Sequence, residues 1–477
     1  MFLANGGATF YYDTIFYLDR GHQVLSLVGL DLAPLREVSA ASSGTPQEIA
    51  AGGSVETVDG SRSMIYSLLL GAFFWIGAVD GMVAMNAALG VGIVWLASRL
   101  SVRGLSHAPR SLSISLAAVG LAAVGSLSFY VAFLMPDMLA PVLLMSAALL
   151  AAYAPRMRIW ELCLVTALGI LAITASPSHL AIGLILMPIL LLRSVLSRSP
   201  RRWLGSVLFL VVLLAGVGEQ MVLRLAAKQV ESAEVIYRPF LTARLIQDGP
   251  GYSYLLDMCP VDPEPSCALL KALSASDDPT RFTATNISFS ISPTTGSFQL
   301  MSADDQRRVA QQQFRFFLDV LVDRPLETSW AIIGNVYRQL TLNSVNMTLQ
   351  TDEIVEQATG MAGMAWGEFA AGRLTADTGW LAIANPAQSV LYLLAALFVL
   401  GFLFSGRLPP AVATFLVMIL IGVVANAIVC GVLSQPANRY GARVIWLLPV
   451  AAVIGGAVLF ARRREERSDP LKRIATE

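Results

Sequence analysis

The chain has 477 residues, 55% of them hydrophobic and 14% charged, with a mean hydropathy of +0.64. Soluble domains carry roughly 25% charged residues, so this composition excludes an ordinary soluble protein. The 33 basic and 33 acidic side chains balance to a formal net charge of zero, which leaves no global basic field to draw nucleic acid, and four cysteines are too few for a disulfide scaffold.

In chain order, residues 1–79 carry no span long enough to cross a bilayer. Tyr11-Tyr12-Asp13-Thr14-Ile15-Phe16-Tyr17-Leu18-Asp19-Arg20 sets two carboxylates among aromatics. Helical spacing puts Asp13 and Asp19 on different faces, so one of them at most points into a site. A carboxylate in such surroundings suits general-base work, because a low dielectric raises its pKa; it equally suits an aromatic belt beside a solvated acid. Met64–Ile76 is apolar but short, and reads as a re-entrant or interfacial helix. Since Met1 is followed at once by this outward segment, a further helix upstream of Met1 is expected.

Apolar stretches at 80–98, 111–133, 138–154, 159–176, 179–193, 203–222, 387–404, 410–431 and 443–461 predict nine membrane-spanning helices. The stretch 179–193 is short and contains Pro188. Arginines gather in every second connection: Arg99, Arg103 and Arg110; Arg156 and Arg158; Arg193, Arg198, Arg201 and Arg202; Arg407; Arg462, Arg463, Arg464 and Arg467. This is the positive-inside pattern. It assigns residues 1–79 to a first outward loop, 80–222 to helices one to six, 223–386 to a large outward domain, 387–461 to helices seven to nine, and 462–477 to a cytoplasmic tail.

Several polar residues then fall at outward ends of spans. Asp137, in Met135-Pro136-Asp137, stands where an ionisable group is costly and functional by default, although it could also cap the next helix. His179, in Ser176-Pro177-Ser178-His179, could carry a proton, touch a phosphate or cap a helix. Arg439 and Arg443, in Asn438-Arg439-Tyr440-Gly441-Ala442-Arg443, run against the charge bias and suit bidentate phosphate recognition, or else snorkel. In the outward domain, Ser302 is an N-cap candidate ahead of a helical run, and Cys259 and Cys267 are the plausible disulfide of an oxidising compartment. No cluster has metal-ligand spacing.

Taken together, these positions resemble the polytopic GT-C glycosyltransferases, which use polyprenyl-phosphate-linked sugars. The resemblance rests on Asp13-Thr14-Ile15-Phe16-Tyr17 for an Asp-x-x-x-Tyr pattern, and on Arg62-Ser63-Met64-Ile65-Tyr66-Ser67-Leu68-Leu69-Leu70 for an interfacial helix. It extends to Asp137 at the next outward turn and to Arg439-Tyr440-Gly441-Ala442-Arg443 at a late one. Ser63 and Ser67 depart from it, standing where prolines are usual, and the large outward domain lies between spans six and seven.

The fold implied is an all-α polytopic membrane protein with one mixed outward domain. The resemblance implies a bacterial inner-membrane enzyme whose large loop is periplasmic or extracellular. Its partners would be the lipid bilayer, a polyprenyl-phosphate-linked sugar and a glycan or protein acceptor. Asp13 would be the general base, with Asp19 as its variant. Asp137 would hold the acceptor or position a divalent ion, Arg439 and Arg443 would neutralise the leaving phosphate, and Arg62, Tyr66 and His179 would contact substrate. The competing readings are a transporter or flippase of a lipid-linked substrate, and a non-catalytic assembly protein. Glycosyl transfer requires the acids and arginines to converge on one cavity at the outward end, whereas transport requires a cavity near mid-membrane.

Overall fold

The computed structural model describes residues 1–26, 29, 30, 57–230, 232–262, 264–351, 355 and 372–468; the last residues of the expected tail, 469–477, lie outside these. Helix α1 (Tyr12–Ser26) packs against α2 (Met64–Trp75). The two backbones meet at glycines: a Cβ on Gly21 would stand 2.3 Å from the Ser67 carbonyl oxygen, and one on Gly71 would stand 3.2 Å from Gly21 Cα. At 12 residues α2 is too short to span a bilayer. Ser63 caps it, accepting from the Tyr66 amide at 3.2 Å, and donates to the Thr174 carbonyl at 2.5 Å. A hydroxyl thus serves where proline was expected, tying the short helix to a membrane helix.

Seven described helices are long and apolar enough to cross a membrane. They are α3 (Val79–Ser101), α5 (Leu139–Tyr153, with its flanking turns), α7 (Pro177–Leu196) and α8 (Leu204–Val230), then α12 (Leu381–Phe404), α13 (Pro410–Leu433) and the continuous pair α14 (Asn438–Ile445) and α15 (Leu447–Ser468).

The other two expected spans are shorter. Helix α6 (Ile159–Thr174) has 16 residues. The stretch 111–133 breaks into α4 (Ser111–Val124) and a short helix, Leu127–Ala132. The break is buried, and neighbours satisfy the backbone it frees. Gln388 donates to the Val124 and Gly125 carbonyls, both at 3.3 Å, and Ser126 donates to the Ala442 carbonyl at 2.6 Å. A broken helix persists at membrane depth only on such terms, and hydropathy alone does not register it.

The arginine-rich connections collect at one end of the bundle. There Arg103 donates to the Arg156 carbonyl at 3.0 Å, Arg462 donates to the Arg407 carbonyl at 2.7 Å, and Glu161 pairs with Arg99 and Arg103.

At the other end stands the segment between α8 and α12. It has its own core, built on Ile236, Leu255, Leu269, Ile287, Phe298, Phe316 and Val320. Its elements include β2 (Glu234–Ile236), α9 (Phe240–Asp248), α10 (Ala303–Asp323) and α11 (Pro325–Thr341). Ser302 caps α10, accepting from the Asp305 amide at 3.3 Å. Strand β2 pairs in parallel with β1 (Thr57–Asp59), so the first loop and the start of the large segment share a two-stranded sheet. Cys259 and Cys267 are joined by a disulfide.

Candidate active site

The site is assembled from three ends of the bundle. The first loop is threaded over the Met135–Pro136–Asp137 turn. Thr9 accepts from the Leu134 amide and donates its own amide to the Ala132 carbonyl, both at 2.8 Å, and the Thr14 hydroxyl donates to the Leu134 carbonyl at 3.1 Å. This hangs Asp13, in the first turn of α1, beside Asp137. The third contributor, α14, is pinned by its backbone: the Arg439 carbonyl accepts from the Tyr130 hydroxyl at 2.5 Å, and the Tyr440 carbonyl accepts from Asn426 at 2.8 Å. Arg439 and Arg443, four residues apart, therefore share a helix face turned toward both acids.

Charges interleave there. Arg62 donates to Asp13 at 3.0 Å, and Arg439 reaches Asp13 and Asp137, each at 3.4 Å. Arg443 donates to Asp137 at 3.3 Å, to the Asn426 side-chain oxygen at 3.0 and 2.8 Å, and to the Cys430 sulfur at 3.2 Å. Asp137 thus serves the two arginines and makes no helix cap. The Arg439 Nε and Asp137 Oδ2, though within ion-pair distance, make no hydrogen bond among the described residues, which leaves a donor and an acceptor side by side. Tyr11 lies 4.9 Å beneath the Arg439 guanidinium, and Phe16 lies 4.3 Å from that of Arg62.

The Asp13 carboxyl is shifted down, against the rise expected from its aromatic surroundings. Burial does push its carboxyl up, but Arg62 and Arg439 outweigh burial and hold it below the usual carboxylate range. A low dielectric raises a carboxyl pKa only when no cation is near.

Behind Arg62 is a second acid that the sequence reading missed. Asp59 pairs with Arg62 at 3.3 Å and with Arg238 at 3.1 Å. Burial opposes its ionisation, yet Arg62, Arg238 and the Ser61 amide bring its pKa down to about 2. Arg20 fixes this loop by donating to the Arg62 carbonyl at 2.7 Å and the Asp59 carbonyl at 2.8 Å.

A cavity of about 490 Å³ lies here. Asp13, Arg62, Asp137, Arg439 and Arg443 form its polar side, while Ala284, Thr285, Phe289, Gln313 and Phe314 of the large segment cover it. It lies among helix termini, at Pro136, Pro177, Leu433 and Arg439, and not halfway along the helices.

Three expected residues stand outside it. Asp19 is half-buried and accepts from Gln23 at 3.2 Å. Tyr66 is buried, its ring centroid 5.0 Å from that of Tyr17. His179 is fully buried, its Nδ1 2.7 Å from the Ala172 carbonyl oxygen. Among the described residues no group of three or more His, Cys, Asp or Glu side chains could hold a metal ion. Both cavity acids are committed to guanidiniums, which makes them a poor seat for a divalent cation.

An apolar groove of about 340 Å³ adjoins the cavity. It runs between α7 and α8 past Leu180, Leu184, Val217 and Met221, ends near Arg224, and shares Pro177, Ala181 and Tyr237 with the cavity.

No protein-family model and no curated relative matches the chain. Among solved structures it is similar to ArnT from Cupriavidus metallidurans in the apo state, at 15% identity, covering 89% of this chain and 72% of that one, with a TM-score of 0.27. So loose an overlap pairs no residue of one site with a residue of the other.

Proposed function

We propose that the chain is a membrane glycosyltransferase that moves a sugar from a polyprenyl-phosphate donor to an acceptor hydroxyl, at the end of the bundle away from its arginine-rich connections. By the positive-inside rule that end faces outward, into the periplasm or extracellular space of a bacterial inner membrane. The observation that carries the proposal is the meeting of Asp13, Asp137, Arg439 and Arg443, drawn from distant parts of the chain, in one cavity at the helix ends. A transporter would need such a cavity near mid-membrane, and an assembly protein would need no buried cluster of acids and arginines.

The chemistry follows from the groups present. The acceptor oxygen attacks the anomeric carbon, the bond from that carbon to the phosphate oxygen breaks, and the phosphate leaves on its lipid. Asp13 takes the acceptor proton. Arg439 and Arg443 neutralise the charge that develops on the departing phosphate, the kind of fixed electrostatic stabilisation that dominates such steps. A carboxylate doubly paired with arginine is a weak base, so donor binding has a second effect: a phosphate engaging Arg439 loosens its hold on Asp13, and the carboxyl becomes more basic. Asp137, paired with both arginines, sets their orientation. The groove between α7 and α8 offers the polyprenyl chain an apolar bed that leads into the cavity.

The test uses the full chain in proteoliposomes with radiolabelled polyprenyl-phosphate sugars, following release of polyprenyl phosphate. Asp13→Asn is expected to lower turnover by a factor on the order of 10² to 10⁴, the usual contribution of a general base. Full turnover by that variant would remove the central residue of the proposal.

A further inference from the structure

Helix α11 has its polarity inside out. Its buried face carries Thr328, Asn335 and Gln339, and all three are hydrogen-bonded. Thr328 donates to the Val320 carbonyl at 3.5 Å, and Asn335 donates to Asp248 at 2.6 Å. Gln339 exchanges two bonds with the backbone of Ala437, at 3.0 and 2.9 Å. On the opposite face stand Leu326, Trp330, Ile333, Tyr337 and Leu340, spaced four, three, four and three, and 38% to 75% exposed. At about 100° per residue these five fall within an arc of about 80°, centred opposite the polar side. On the last turns of α10, which packs against α11, Phe314, Leu318 and Val322 are exposed as well. A surface helix in water shows the reverse pattern, and a water-facing apolar patch of this extent is uncommon.

We propose that this stripe lies in lipid: α11 and the end of α10 are embedded in the leaflet on the cavity side, so that the large segment is anchored in the bilayer rather than held clear of it. Two further features support lipid as the occupant. The stripe adjoins a membrane-spanning surface, for α11 packs against α13, where a Cβ on Gly431 would come within 3.0 Å of the Asn335 carbonyl oxygen. The helix is also too short to span the bilayer, since its 17 residues extend about 25 Å against a hydrocarbon core of roughly 30 Å, and Trp330 and Tyr337 are interface-seeking types. Since Gln313 and Phe314 line the cavity, the same anchor holds the cavity's cover at the membrane surface, where a lipid-linked donor would arrive.

Spin labels on the full chain, in phosphatidylethanolamine–phosphatidylglycerol liposomes, test this without requiring turnover. The outcome is therefore independent of the glycosyl-transfer reading. In a Cys163→Ser background, Ile333→Cys and Trp330→Cys are compared with Leu393→Cys on the exposed face of α12 and with Lys271→Cys on the large segment. Labels at 333 and 330 are expected to match position 393, relaxed by oxygen and shielded several-fold from a water-soluble nickel complex. Nickel accessibility equal to that at position 271 would place the stripe in water. Shielding from both reagents would mean that protein, a second copy included, covers it. Either result overturns the proposal.

Discussion

Asp59 shows how far the cavity's charges depend on a residue that does not line it. It is the shared partner of two buried guanidiniums, Arg62 and Arg238, which are joined across the β1–β2 pair. Removing one member of a buried ion pair leaves an uncompensated charge, at a cost of about 3–5 kcal/mol. Arg62 retains Asp13, and Arg238 retains the Ser288 carbonyl at 3.1 Å, so Asp59→Asn is expected near the lower end of that range, read as a lower unfolding temperature. The sign of the pH effect follows from the depressed pKa. The Asp59 contribution is complete above the unfolded value of 3.8 and fades as the pH falls toward about 2. The unfolding temperature of the parent should drop across that window by more than that of Asp59→Asn. Equal slopes would show that the carboxylate is not ionised by its arginines.

Asp13, Asp137, Arg439 and Arg443 were legible in the sequence because charged side chains at the ends of apolar runs stand out. Asp59 and Arg238 were not, because each looks like an ordinary loop residue and their pairing spans 179 positions. His179 looked functional for the same reason as Asp137. Only packing distinguishes a histidine that holds a neighbouring carbonyl from an acid that faces a cavity.

Among the elements, the pairing of α1 with α2 governs where Asp13 sits. The helices meet at Gly21 with no room for a methyl group: its Cβ would stand 2.3 Å from a backbone oxygen that cannot rotate away. Overpacking of this kind costs about 1–3 kcal/mol. Gly21→Ala should lower the unfolding temperature and, by displacing α1, turnover as well. Gly92→Ala, at a helical position with nothing within 4 Å, should leave both unchanged. Equal behaviour of the two variants would show that α1 and α2 are not in close contact. The apolar runs that became α3, α5, α8, α12 and α13 could be read by length alone, whereas that of α7 is short in the sequence and carries Pro188. The break at Gly125–Ser126 and the inverted face of α11 could not, since both depend on which neighbours supply hydrogen bonds and which side meets lipid.

The molecule as a whole has two apolar cores, one in the helix bundle and one in the large segment, and the hydrogen bonds and ion pairs described between them include Asp59 with Arg238 and Gln339 with Ala437. Two cores so joined should open separately. The disulfide lies within the second core's territory: Cys259 and Cys267, with Cα atoms 5.6 Å apart, flank a short loop between the helices that carry Leu255 and Leu269. Closing a loop of that size is worth about 2–3 kcal/mol in the chain-entropy picture, and that stabilisation acts on the large segment alone. Replacing both cysteines by serine should therefore speed amide hydrogen exchange across residues 240–320 and leave exchange in α13 and α15 unchanged. Faster exchange in both would mean that bundle and segment unfold as one unit. The cavity, which draws its charges from the bundle and its cover from the segment, would then be held shut by the stability of the whole chain.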